Sequence, residues 1–197
     1  MNHEEKLMKS IKDRGGLILS SQVDQLGIPR IYLSILVKKK FIEKIGRGVY
    51  LTVDAFDDEM FRLQARYRKG IYSHGTALYL HDLTDTTPNH YTMTFPNGYH
   101  VKSLKEKGIF TFYVHKNLHS LGKVELLTSF GRNINTYNSE RTIVDIIRSR
   151  NQMDSEILNN ALKRYAVRKE NNITMLMKYA KLFRIEKIIR QFMEILL

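Results

Sequence analysis

Apolar residues in the first fifty positions change period repeatedly, and each change marks an element. From Glu4 to Arg14, Leu7, Met8 and Ile11 recur at helical spacing, and Gly15-Gly16 stops the pattern. Leu17-Ile18-Leu19 reads as a short apolar connection. Ser20 and Ser21 offer an N-cap, with Asp24 three residues after Ser21 in a weak capping-box variant, for a short helix through Leu26 that Gly27 closes. Pro29 suits the first turn of the next helix, Arg30 to about Lys39, because its fixed φ is helical and its missing N–H is not needed there. Two short helices joined through a glycine predict a helix-turn-helix. Phe41 to Ile45 then alternates apolar and polar, Gly46-Arg47-Gly48 turns, and Val49-Tyr50-Leu51 returns, a β-hairpin with a basic tip. This order of elements predicts a winged helix-turn-helix over residues 1–53.

Residues 54–70 begin with acids and end with bases, the arrangement that offsets a helix macrodipole, and predict a connecting helix. Beyond it, a helix is expected around Thr76 to His81, then strands over Tyr91 to Phe95, Ile109 to His115 and Lys123 to Thr128. Pro96-Asn97-Gly98 and Gly122 separate the strands. Ser139 is the expected cap of a helix from Glu140 to about Arg150, with Ile143, Val144, Ile146 and Ile147 as its apolar positions. From Asp154 the tail reads as helical throughout. The expected fold class is α+β: an N-terminal winged helix-turn-helix, then a mixed α/β domain with a helical C-terminal bundle. Residues 71–197 would form that domain, with its α+β core at 71–150 and its helical tail at 151–197.

Composition adds charge to this outline. In 197 residues, 32 Lys and Arg face 20 Asp and Glu, a formal net charge of +12. The absence of cysteine removes disulfide frameworks, zinc ribbons, iron–sulfur clusters and thiol nucleophiles together. The start Met1-Asn2-His3-Glu4-Glu5 has neither a basic n-region nor an apolar h-region, and no run is apolar enough to span a bilayer. A soluble, cytoplasmic protein without a membrane partner is expected.

The net positive charge makes a polyanion the first candidate partner. Residues 1–53 carry ten bases against five acids, 54–70 are balanced, and the remaining excess is spread over the rest of the chain. On the predicted second helix of the pair, Leu33, Leu36 and Val37 form a packing face, while Arg30, Ser34 and Lys38 form another, flanked by Tyr32 and Ile35. Arginine and lysine can bond guanine edges in the major groove, and a wing arginine can lie against phosphate or enter the minor groove. The candidate DNA-binding set is therefore Ser20, Ser21, Arg30, Tyr32, Ser34, Lys38, Lys39, Lys40, Lys44 and Arg47. A possible second basic surface comprises Lys163, Arg164, Arg168, Lys169, Lys178, Lys181, Arg184, Lys187 and Arg190. The alternative for both sets is a solvated helix face.

Enzymatic candidates are poor. None of His3, His74, His81, His90, His100, His115 and His119 has metal-ligand spacing, and His74 and His81 stand about 10 Å apart along a helix axis. The acids Asp82, Asp85, Glu106, Glu125 and Asp145 are scattered, and no Gly-rich phosphate loop is present. No catalytic residue, metal or cofactor is expected. Arg141 and Asp145 stand i, i+4 on a helix, the spacing of a structural ion pair.

Two longer motifs narrow the choice: Ser73-His74-Gly75-Thr76-Ala77-Leu78-Tyr79-Leu80-His81, followed by Leu83-Thr84-Asp85 and Pro88, and Ser139-Glu140-Arg141-Thr142-Ile143-Val144-Asp145-Ile146-Ile147. With the Gly-Val-Tyr end of the hairpin, they resemble in order the AbiEi-family antitoxins of type IV toxin–antitoxin and phage abortive-infection systems. Gly75 departs from the pattern, where a larger residue is expected. The resemblance implies an autorepressor that binds inverted repeats in its own promoter double helix. It also implies a C-terminal domain that counteracts a co-encoded nucleotidyltransferase-like toxin without a stable complex. Ser73, His74, Glu140, Arg141, Thr142 and Asp145 match the family pattern, which does not by itself make them catalytic. A monomer in solution with two copies per operator is expected, and whether those copies touch stays open. The alternative is a winged-helix regulator unrelated to any toxin.

Overall fold

The computed structural model describes residues 2–53, 58–99, 104 and 108–196, without the side chains of 195 and 196. The first four positions of the expected connecting helix, together with His100 and Glu106, lie outside the described residues. The chain forms two compact units, Met1–Arg68 with Leu127–Ile134, and Lys69–Leu126 with Asn135–Leu197.

In the first unit, α1 (His3–Asp13) opens with a capping box. The Glu5 N–H donates to Asn2 Oδ1 at 2.8 Å, and the Asn2 N–H donates to Glu5 Oε2 at 3.0 Å. Then follow β1 (Leu17–Leu19), α2 (Ser20–Gln25), α3 (Ile31–Lys38), β2 (Ile42–Gly46) and β3 (Val49–Thr52), with the strands in the order β1-β3-β2, antiparallel. Successive side chains of a strand point to opposite faces, so this sheet builds two cores. Ile18 and Ile42 join Leu7, Ile11, Val23, Ile28, Leu33 and Leu36 on one side, while Leu17, Val49 and Leu51 meet Phe61 and Ala65 of α4 (Glu59–Arg66) on the other. The Asp58 carboxylate caps α4 by accepting from the Phe61 N–H at 3.0 Å, and it also accepts from Thr128 Oγ1 at 2.5 Å. Arg132 donates to the Gly15 carbonyl at 2.6 Å and lies over the Phe61 ring. These contacts fasten residues 127–134 into the first unit, and no periodicity announces them.

Several local expectations change here. Leu17-Ile18-Leu19 pairs with β3 and is a strand, because β3 offers it a second edge. The Ser21–Asp24 box does not form: α2 starts at Ser20, and the Gln22 side chain accepts from the Leu19 N–H at 2.9 Å instead. Pro29 precedes α3, and Arg30 takes the cap position with no side-chain cap bond. Gly27 closes α2 as expected, at φ +66°, with its N–H to Asp24 O and the Ile28 N–H to Val23 O.

The second unit holds β4 (Ile71–Tyr72), α5 (His74–Leu80), β5 (Tyr91–Pro96), β6 (Ile109–Val114), α6 (Lys116–His119), and parts of β7 (Lys123–Leu127) and β8 (Asn133–Tyr137). Its strand order is β6-β5-β4-β8-β7, with β5–β6 and β4–β8 parallel and β4–β5 antiparallel. Helices α7 (Ser139–Arg148), α8 (Ser155–Ala166), α9 (Ile173–Leu182) and α10 (Glu186–Leu196) complete it, so the protein is a mixed α+β structure. The tail is thus three separate helices, with Asp154 and Asn172 capping α8 and α9. Asn138, not Ser139, caps α7 by accepting from the Arg141 N–H at 3.0 Å. Helix α5 starts at His74, earlier than Thr76. From Glu140 to Ile147 every residue of α7 is buried, because α5, α8, α9 and α10 supply Leu78, Leu162, Leu176 and Ile189 around it.

Backbone constraint and close packing separate at two glycines. A Cβ on Gly27 would meet nothing within 4 Å, so Gly27→Ala is expected to cost only the left-handed strain, about 1–2 kcal/mol. At Gly122, φ +76°, a Cβ would stand 2.7 Å from Arg141 Cβ, so Gly122→Ala is expected to cost about 3 kcal/mol or more. Urea unfolding of the two variants checks this order.

Candidate nucleic-acid interface

Leu33 and Leu36 are buried against α1, and this fixes what α3 presents outward. Helical geometry at about 100° per residue then puts Ile31, Ser34, Ile35 and Lys38 on the opposite stripe. Ile31, Ser34 and Lys38 are exposed, Ile31 to 61%, and Ile35 is half-buried. Periodicity alone centres the polar stripe on Arg30, Ser34 and Lys38, and Ile31 escapes it because an apolar residue reads as core.

Three of the candidate residues are engaged within the unit. Arg30 Nε and Nη2 donate to the two carboxylate oxygens of Asp24 at 2.8 and 2.5 Å. This pair holds the Asp24 carboxyl below the usual carboxylate range, chiefly through the side-chain hydrogen bond, and raises Arg30 in turn. Lys39 Nζ bonds Glu4 Oε2 at 2.6 Å, and the half-buried Tyr32 packs on the His3 ring with centroids 5.1 Å apart. Lys40 ends α3 in the left-handed region at φ +58° and is exposed. On the hairpin, Lys44 and Arg47 are exposed. Ser20 is half-buried, with its N–H to the Gly48 carbonyl at 2.8 Å fastening the hairpin turn to the start of α2, and Ser21 is exposed. Lys38, Lys40, Lys44 and Arg47 have no ion-pair partner among the described residues.

The second basic set is less open than its composition. Arg164 is paired with Asp85, Arg190 with Glu186 at 2.8 Å, and Arg168 donates to the His81 carbonyl at 2.6 Å. Arg184 ends α9 in the left-handed region at φ +60°. Lys163, Lys169, Lys178, Lys181 and Lys187 are exposed.

The motif residues lie inside the second unit. The Arg141 side chain is fully buried, with Nε to Asp145 Oδ2 at 3.0 Å and Nη1 to the carbonyls of Leu118 and Leu121 at 2.9 Å each. Its guanidinium lies 4.2 Å from the ring centroids of both Tyr137 and Phe183. Asp145 also meets Arg148 at 3.4 Å. Glu140 accepts from the Asn172 N–H at 3.1 Å, and Thr142 Oγ1 donates to the Asn138 carbonyl at 2.8 Å. His74, at φ +48°, stacks on Phe112, with Nδ1 3.0 Å from Ser73 Oγ and Nε2 3.1 Å from Ser149 Oγ. Burial pushes its pKa down to about 4, with neighbouring Asp145 opposing and Arg141 reinforcing that shift. Burial likewise lowers His81 and His119. Among the described residues, no group of three or more His, Asp and Glu could hold a metal ion.

Removing one partner of the buried pair strands the other, so Asp145→Ala is expected to destabilise the protein by about 3–5 kcal/mol in denaturant unfolding. The unfolded chain takes up a proton on His74 near pH 6.5, while the folded protein resists until about pH 4. Stability from this group is therefore present above pH 6.5 and lost as pH falls to 4, about 3 kcal/mol in all. His74→Asn, which tolerates the left-handed backbone, is expected to flatten the pH dependence of the urea midpoint across that window.

The comparisons with known proteins bear on both units. No curated protein matches the chain. The fold is similar to the crystal structure of the RV2827C protein from Mycobacterium tuberculosis, with a TM-score of 0.60 over 91% of this chain and 71% of that one. The two are 11% identical, so the likeness concerns the fold alone. No helix among the described residues is long and apolar enough to cross a membrane. Residues 5–53 match the family described as "Transcriptional regulator, AbiEi antitoxin". That segment runs from α1 through β3, so the likeness to AbiEi transcriptional regulators covers the first unit's helices and hairpin.

Proposed function

We propose that α1 to β3 form a winged helix-turn-helix that binds the protein's own promoter, with α3 in the major groove and the β2–β3 turn on the adjacent backbone or minor groove. The observation that carries this reading is the outward stripe of α3. It joins hydrogen-bonding and cationic groups at Ser34 and Lys38 to an exposed apolar group at Ile31, suited to a thymine methyl. Arg47, exposed at the hairpin turn, supplies the wing cation. Inverted repeats bound by two copies would make the protein an autorepressor. The second unit would then serve as the antitoxin part, counteracting a co-encoded nucleotidyltransferase-like toxin without a stable complex, and no catalysis is assigned to it. The exposed lysines of α8, α9 and α10 are an auxiliary phosphate surface in this scheme.

One observation favours a second reading, a regulator without a toxin: the family match stops at residue 53. Co-expression of the full chain with a nucleotidyltransferase encoded in the same operon separates the two, since rescue of growth supports the antitoxin and absence of rescue the plain regulator.

Lys38→Ala is expected to weaken promoter binding about 5- to 150-fold, the range of a base-reading contact. Arg47→Ala is expected to lower the salt slope of binding by about 1, the signature of a lost phosphate contact. Fluorescence anisotropy over a salt series reads both. A triple Lys38→Ala, Lys44→Ala, Arg47→Ala variant that is folded by circular dichroism and binds unchanged overturns the assignment.

A further inference from the structure

Asp24 is an acid on the unit proposed to meet DNA, 47% exposed and adjacent in space to the start of α3. An uncompensated carboxylate there would repel phosphates. It is compensated by one residue: both of its oxygens accept from Arg30, six positions on and across the Gly27 turn, through Nε at 2.8 Å and Nη2 at 2.5 Å. A surface ion pair of this kind adds little stability, because solvent screens it and two side chains lose rotamer freedom. Its geometry has another consequence. Guanidinium carries five N–H groups in a rigid plane, and the edge formed by Nε and Nη2 is the one that Asp24 occupies. The end edge, formed by Nη1 and the remaining proton of Nη2, is left pointing away from the carboxylate. That edge is the fork that fits the two major-groove acceptors of guanine, O6 and N7.

We propose that Asp24 is a positioning residue for base recognition, holding Arg30 so that the free end of its guanidinium reads a guanine at the N-terminal end of α3. The proposal rests on α3 entering the major groove. Arg30 is 61% exposed, and at the cap position of α3 it makes no side-chain cap bond. A free arginine there samples many rotamers and binds phosphate as readily as base. Tethered by Asp24, it keeps one orientation, and less entropy is lost when the base is bound. The ion pair thereby favours one base over the backbone, and the same acid lowers affinity for DNA in general.

The test uses the full chain, its own promoter duplex and an unrelated duplex of equal length. Asp24→Ala is expected to weaken promoter binding about tenfold while tightening binding to the unrelated duplex, because an acid has gone and an orientation has been lost. Replacing promoter guanines singly by 7-deazaguanine, which lacks the N7 acceptor, should weaken the wild-type protein at one position per half-site and leave Asp24→Ala indifferent there. Arg30→Lys keeps the charge without the fork and should lose the same sensitivity, which carries the test if Asp24→Ala fails to fold. If Asp24→Ala tightens both duplexes by the same factor, or keeps the 7-deazaguanine sensitivity, the ion pair is a surface contact and the proposal is wrong. If the wild type does not prefer its promoter at all, the winged-helix reading fails first, and the proposal with it.

Discussion

Leu33 and Leu36 determine what α3 can do. Buried with Leu7 and Ile11 of α1, they set the rotation of α3 about its own axis. Each fully buried leucine contributes on the order of 1.5–3 kcal/mol, more than any exposed residue of the helix can oppose. The outward stripe is therefore a consequence of the core, and so is the relation of Arg30 to Asp24 across the Gly27 turn. The sheet extends the same constraint to the hairpin: β3 pairs with β1 as well as β2, and the Ser20 N–H bonds Gly48, so Arg47 projects from a turn with two anchorages.

The second unit has a different organising contact. An arginine with its guanidinium wholly out of water is tolerated only where its charge is met, and Arg141 is met by Asp145, two carbonyls and two aromatic faces, with Nε and Nη1 hydrogen-bonded and Nη2 without a hydrogen-bond partner among the described residues. The close approach of Gly122 and the rings of Tyr137 and Phe183 all meet that one side chain, while the cap at Asn138 accepts from the Arg141 main-chain N–H. The motif residues Ser73, His74, Glu140, Arg141, Thr142 and Asp145 are hydrogen-bonded within the unit. Their side chains thus have a structural role in folding.

Much of the first unit was legible because its elements are local. Leu7, Met8 and Ile11, the glycines at 15, 16 and 27, and the alternation from Phe41 to Ile45 each decide an element within one or two turns of chain. Reading failed where a distant partner decides. Leu17-Ile18-Leu19 becomes a strand only because β3 lies beside it, and residues 127–134 join the first unit through Asp58 and Gly15, far away in sequence. At the candidate site, Lys38 and Arg47 could be singled out as exposed bases, but the engagement of Arg30 by Asp24 and of Lys39 by Glu4 could not. Spacings of six and thirty-five residues belong to no helical or strand repeat. Ile31 was invisible for the opposite reason, since periodicity assigns isoleucine to the core by default.

On the proposed reading, the outward stripe of α3 and the β2–β3 turn are the surface that meets promoter DNA. Titrating the isotopically labelled full chain with its own promoter duplex and mapping amide shifts by nuclear magnetic resonance tests it most directly. The expected result is a set of perturbations concentrated on residues 30–38 and 46–48. Perturbations confined to α8, α9 and α10, with α3 unchanged, would contradict it.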